Sequence, residues 1–192
     1  MRLMQNGVDL ERVDALVEAI RKDAVKGKRT LSCITSWNGG AHSTTIVRNF
    51  VIPADEPVAL GGTDRGASPM ELVLTAFAAC TAIAIAYSAA QDGVEVDSIE
   101  IDVEGDLDLG GFFEVRLSEG QELEKPSGFD SRRAEGPGLA EIRLTVRVDA
   151  DAPWEKVEEL VNHAYRRSPV AASLEARVPI RVCLARNDTE TP

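Results

Sequence analysis

Cysteine is scarce in this chain: Cys33, Cys80 and Cys183 are an odd number, lie in widely separated segments and include no C-x-x-C pair. That pattern supports neither a disulfide framework nor a structural zinc site. Histidine is scarcer. His42 sits beside a glycine turn and His163 in a helical stretch, neither with a second ligand at metal spacing, so no metal and no cofactor are expected. Positive charge is in deficit, with 21 Lys and Arg against 32 Asp and Glu and a net charge of −11. Attraction to phosphate backbones or anionic membranes is therefore disfavoured, and neither nucleic acid nor membrane is expected as a partner. The first residues, Met1 to Gly7, lack an apolar stretch followed by a small-residue cleavage site. No secretory signal is read, and a cytoplasmic location is expected.

One long apolar run is present. Residues 72–90 are nearly all small and apolar on every face, and the run is long enough to span a bilayer. Its many alanines, its brackets Glu71 and Asp92 and the strand-like segments on both sides favour a buried helix that protein must surround. The start of this helix is well marked. Ser68 suits the N-cap, Pro69 the first helical position, and Glu71 completes a Ser-x-x-Glu capping box. Cys80 stands in the middle of this rigid scaffold.

The remaining chain reads as one domain of α+β class with an appendage. Val8, Leu10, Val13, Leu16, Val17 and Ile20 recur at helical spacing, predicting an amphipathic packing helix over residues 8–26 that ends at Gly27. Residues 31–37 and 44–52 are β-rich and separated by Asn38, Gly39 and Gly40, which suggests a hairpin that includes Cys33 and Arg48 in its strands. A loop over 53–67 leads to the capped helix. Ile99, Ile101 and Val103 alternate with acidic residues, as Ile142, Leu144, Val146 and Val148 do later, marking two strands with one wet face. Between them, residues 110–138 read as a long loop or lid whose start Phe112 and Phe113 anchor. Asp151 is expected to cap a helix through Pro153 and Trp154 to about Arg166, with Val157, Leu160, Val161 and Ala164 inward. A short helix from Pro169 and a strand over 178–184 close the chain. The expected organisation is an extension over 1–28, a domain over 29–186 and a disordered tail over 187–192.

Three groups of residues carry a family resemblance: Gly61, Gly62, Thr63 and Asp64 with Ser68, Pro69, Met70, Glu71, Leu72 and the later Ala78, Ala79 and Cys80; residues 103–108; and Arg167, Ser168, Pro169 and Val170. Together, over roughly residues 30–185, they resemble the OsmC/Ohr family. The initial helix and the loop 110–138 look like additions. The resemblance implies antiparallel sheets around a long buried central helix, an intertwined homodimer with sites at the subunit interface, and reduction of organic hydroperoxides by a thiol. It places Cys80 on the family's peroxidatic cysteine. The position of the resolving cysteine, just before a Pro-Val pair, is Ser168, which implies a one-cysteine mechanism completed by an external thiol. The hydroperoxide resistance proteins carry an arginine where this chain has Ala41, and a glutamate where it has Met70. Arg48 and Glu71 are the nearby substitutes, so the chain resembles the wider OsmC-like group more than the proven peroxidases.

A thiolate is the reactive form, and an ordinary cysteine with a pKa of about 8.5 is only slightly ionised at neutral pH. The helix start lies roughly 16 Å from Cys80 at the standard rise, too far to activate it. A nearby cation is required, and Arg48 is the candidate, with Met70, Leu74, Phe77 and Tyr87 as an apolar lining that favours bulky organic peroxides. Against this stands a small buried filler at position 80, since free cysteine is often simply core. Cys33 and Cys183 read as core residues of strands, Asp64 and Arg65 as a solvated loop pair, and Glu71 as a helix cap. Two other classes remain open: a non-catalytic dimer that binds a small apolar ligand or partner at its interface pocket, and a hydrolase or transferase pairing Cys80 with His42 or His163.

Overall fold

The computed structural model describes residues 4–115 and 138–175. Most of the expected loop 110–138, the expected strand 178–184, Cys183 and the expected tail 187–192 lie outside the described residues. The described elements, in chain order, are α1 (Leu10–Lys22), β1 (Ile34–Trp37), β2 (Ser43–Val47), β3 (Phe50–Ala54), α2 (Pro69–Asp92), β4 (Val96–Leu107), α3 (Leu109–Phe112), β5 (Leu139–Ala150), α4 (Trp154–Arg167) and α5 (Pro169–Glu175). β1, β2 and β3 form one antiparallel sheet in that order, and β4 pairs with β5 in a second. The α+β reading and its antiparallel sheets are thus the architecture observed.

α1 starts at Asp9, whose carboxylate accepts from Arg12 N at 3.1 Å, and gives way at Asp23 to a 3-10 turn, Ala24–Gly27. Its anchor lies upstream. Asn6 donates from Nδ2 to the Val94 carbonyl at 2.9 Å and accepts from Val96 N at 3.0 Å, tying the N-terminal segment to the entry of β4.

The β-rich run 44–52 is two strands rather than one. Arg48 has φ of 56° and turns the chain with Asn49, so β2 and β3 form a second hairpin. A left-handed residue in a two-residue turn matches the twist of the paired strands, and without a glycine the sequence carries no obvious signal for it. Arg48 therefore lies in a turn and not in a strand. Cys33 precedes β1 and is exposed in the protomer, not a core residue of a strand. Pro53 is tolerated in β3 because β3 is an edge strand.

The loop to α2 is organised by Asp55, which is 1% exposed. Its carboxylate accepts from Thr63 Oγ1 at 2.6 Å, Thr63 N at 3.2 Å, Arg65 N at 3.3 Å and Glu56 N at 2.9 Å. The Thr63 hydroxyl foremost holds the Asp55 carboxyl below the usual carboxylate range, against the opposing effect of burial. Gly62 is required here, since a Cβ would lie 1.7 Å from the Glu56 carbonyl oxygen. Asp64 and Arg65 have exposed side chains.

α2 begins with the expected capping box and ends at Gly93 in the left-handed conformation. It packs against β4, α4 and α5. Phe77, Thr81, Ile85, Ser88, Ala89 and Ala90 are buried, each large apolar side chain contributing about 1.5–3 kcal/mol. The helix is long and apolar enough to cross a membrane by length and composition, and it is not enclosed on all sides in a single chain. Ile83 is 56% and Tyr87 42% exposed.

β4 and β5 carry the expected alternation. Ile99, Ile101 and Val103 face Val148, Val146 and Leu144, while Arg147 and Arg143 lie opposite Glu100 and Glu104 on the wet face. α2 approaches this sheet at Gly105, where a Cβ would stand 3.0 Å from Leu74 Cδ2. α4 has Pro153, not Asp151, at its N-cap; the Asp151 backbone instead donates to the Glu95 carbonyl at 2.9 Å. Val157, Leu160 and Ala164 are buried as expected.

Candidate functional site around Cys80

Cys80 is half-buried on α2 and faces the junction of α4 and α5. Ser168 stands there between the two helices, fully buried, and its hydroxyl donates to Cys80 Sγ at 3.2 Å. The same oxygen accepts from Ala171 N at 3.3 Å, which makes Ser168 the N-cap of α5. A hydroxyl has one proton. With the Ala171 amide on an oxygen lone pair, that proton is directed at the sulfur. The thiol and the serine are 88 residues apart in sequence.

Beside the sulfur is a cavity of about 350 Å³. α2 supplies Cys80, Ile83, Ala84, Tyr87, Ser88 and Gln91, the stripe that helical periodicity sets on one face. Pro169 of α5 and Arg167 of α4 form a second wall, and Val13 and Val17 of α1 a third. Arg167 Nη1 lies 3.1 Å from His163 Nε2. Among the described residues Arg167 is the cation that shares this cavity with Cys80, and sequence reasoning missed it as a candidate. The available signal was its place immediately before Ser168.

Of the residues expected to line a pocket, Tyr87 lies in this wall, two turns beyond Cys80 on the same face. Phe77 is buried behind the site with its ring 6.3 Å from that of Tyr165. Leu74 is turned about 120° away from Cys80 at 100° per residue, and packs at Gly105. Met70 and Leu74 are not among the lining side chains.

The expected activating pair is not assembled in the protomer. Glu71 stands about 13 Å below Cys80 along the helix axis. Its carboxylate accepts from Ser68 N at 2.7 Å while its own N–H donates to Ser68 Oγ at 3.3 Å, so it is engaged in the cap. That backbone bond from Ser68 is the main reason the Glu71 carboxyl is held below its ordinary range. Arg48 sits over the Phe50 ring, 4.9 Å from its centre, and is not among the residues lining the cavity. Among the described residues His163 is bonded to Arg167 and not to Cys80, and no bond joins His42 to Cys80. Among the described residues no group of three His, Cys, Asp or Glu side chains is arranged to hold a metal.

The family model described as OsmC-like protein matches residues 62–182. No curated protein matches the sequence. Solved structures do resemble the fold. An OsmC-like protein from Mycoplasma pneumoniae superposes with a TM-score of 0.58 at 17% identity, over 77% of this chain and 89% of its own. An OsmC-like protein of unknown function from Vibrio cholerae gives 0.58 at 15%, over 77% and 95%. An organic hydroperoxide resistance protein OsmC from Legionella pneumophila gives 0.52 at 18%, over 77% and 91%.

Proposed function

Since the chain belongs to the OsmC-like family, matched over more than half its length, we propose that it is a one-cysteine thiol peroxidase acting on organic hydroperoxides. The observation that carries this reading is the bond from the buried Ser168 hydroxyl to Cys80 Sγ, at the position where the resemblance puts a resolving cysteine. The Cys80 thiolate attacks the terminal peroxide oxygen, the O–O bond breaks, and the alkoxide leaves and takes up a proton to become an alcohol. Sulfur is oxidised to sulfenic acid as the peroxide is reduced. One external thiol then displaces water to form a mixed disulfide, and a second releases Cys80 as thiol together with the external disulfide. Arg167, in the wall of the same cavity, supplies positive charge for the departing oxygen, a role first expected of Arg48.

A homodimer belongs to this reading. Ile34, Ile46 and Val51 are cross-strand neighbours on one face of the β1–β3 sheet and are 73%, 51% and 64% exposed in the single chain, an apolar surface that a second copy would cover. In such a dimer Arg48 reaches the cavity only if the partner presents its β2–β3 turn. The substrate is a small organic hydroperoxide and the reductant an external thiol; a cytoplasmic location fits both.

The test is oxidation of the reduced protein by cumene hydroperoxide, followed by intact mass and a sulfenic-acid trap. Rapid oxidation at Cys80, recycled by a dithiol and lost in Cys80→Ser, is the expected result. A thiol that stays reduced under excess peroxide would favour the second reading, a non-catalytic dimer binding an apolar ligand, which the commitment of Glu71 to the helix cap supports.

A further inference from the structure

α1 lies upstream of residues 62–182, the part that matches the family, yet Val13 and Val17 stand in the wall of the cavity that holds Cys80. They are i and i+4 on one helix, so they present a continuous apolar strip one turn long. The helix is held in place from its start: Asn6 bonds to Val94 and Val96 on either side of the β4 entry, and Leu10 is 2% exposed. Beyond Leu10 the helix buries no side chain fully, and Leu16 is 48% exposed. An amphipathic helix anchored at one end, whose half-buried apolar strip lines the same cavity as the Cys80 thiol, does more there than complete a core.

We infer that α1 is a specificity-determining wall of the thiol site, and that Val13 and Val17 set the size and apolarity of the group that can approach Cys80. The substrate is then a hydroperoxide whose organic part is an uncharged, branched or aromatic group seated between α1 and Tyr87, with the peroxide end toward Cys80 and Arg167. This inference rests on the peroxidase reading for the identity of the ligand, but the wall itself is tested without turnover.

The full-length protein is alkylated with iodoacetamide, small and polar, and with N-phenylmaleimide, bulky and apolar, and modification of Cys80 is followed by peptide mass. In the double variant Val13→Phe, Val17→Phe the cavity is filled, and the ratio of bulky to small reagent rates is expected to fall about tenfold, the usual scale for a hydrophobic pocket. Val13→Ala, Val17→Ala enlarges the cavity and is expected to move the ratio the other way. Leu16→Phe, the same kind of change on the same helix off the cavity, is expected to leave the ratio within twofold. Thermal melts identify any variant that fails to fold, and the alanine pair stands if the phenylalanine pair does not. For turnover, the phenylalanine pair is expected to raise KM for cumene hydroperoxide more than for tert-butyl hydroperoxide, with kcat little changed.

A ratio unchanged in folded variants of either pair, or one that moves equally in Leu16→Phe, overturns the inference. Reagent ratios that move as expected in a protein that reduces no peroxide would overturn the proposed function and leave the wall standing.

Discussion

At its first turn α2 is held by atoms within three residues of one another: Ser68 and Glu71 exchange two hydrogen bonds. In the middle of the same helix, Cys80 takes its surroundings from Ser168, 88 residues away, from Arg167 and Pro169, and from Val13 and Val17 near the other end of the chain. The first region is closed on itself, and its polar groups are spoken for. The second is open, with a sulfur, a cation and an apolar cavity brought together by packing. A family motif can therefore mark where a helix begins without containing the groups that surround its cysteine. Glu71 illustrates this, since its place in the motif is explained by the cap alone.

The largest expected effect falls on the middle of the helix. Cys80→Ser should lower the rate of cumene hydroperoxide consumption by about a thousandfold or more, as loss of a nucleophile does, while the thermal transition stays near that of the parent. Consumption at the parent rate would remove Cys80 from the chemistry.

Next comes the serine. With Oγ and Sγ 3.2 Å apart, Ser168→Cys should form a disulfide between positions 80 and 168 on addition of peroxide, read as a loss of two hydrogens in intact mass under non-reducing conditions. Ser168→Ala should slow oxidation of Cys80 roughly tenfold, the scale of one hydrogen bond to a charged acceptor. An unchanged rate would mean that the hydroxyl serves only the α5 cap.

The cations give a sharper division. Arg167→Ala should slow Cys80 oxidation about tenfold, the weight of a single charge-assisted contact, whereas Arg48→Ala should change it by less than about twofold, as for an exposed charge. The reverse order would assign the activating charge to the β2–β3 turn of a partner subunit.

At the helix start the effects belong to stability. Ser68→Ala should cost about 1 kcal/mol and lower Tm by a few degrees with peroxide kinetics unchanged. A kinetic effect as large as that of Ser168→Ala would erase the distinction between the two regions.

The smallest effect is acid sensitivity. Asp55 and Glu71 both have carboxyls held below their ordinary range in the folded protein. Their contribution is therefore full above the unfolded carboxylate pKa and is lost as pH falls through the lower folded values. Thermal melts on the acid side should show this decline, and Asp55→Asn should flatten it while lowering Tm at neutral pH.

The same division explains what could be read in advance. The capping box, the alternation of Ile99, Ile101 and Val103 and the buried face of α4 follow from local periodicity and are found where expected. The turn at Arg48 was hidden because it relies on a backbone conformation that arginine seldom takes. Asp151 resembles an N-cap, but its backbone is committed to Glu95, across the connection between α2 and β4. Arg167 and the pair Val13 and Val17 were visible as a basic residue and an apolar stripe, and nothing local could say that both would line the cavity beside Cys80. Of the long-range juxtapositions anticipated at the thiol, the one supplied by the family resemblance, between positions 80 and 168, is found, and the one between Arg48 and Cys80 is not.

That juxtaposition has a mechanical side. The Ser168 oxygen bridges the sulfur and the Ala171 amide, so one atom links the oxidation state of Cys80 to the first turn of α5. Turning a thiolate into S–OH replaces a bare acceptor with a bulkier group that carries its own proton, and the serine must re-aim its hydrogen or give ground. Amide exchange at Ala171 is then expected to be slower with the thiol reduced than with it oxidised, which hydrogen exchange on the two forms would check. Under the proposed function, α5 would register oxidation of Cys80.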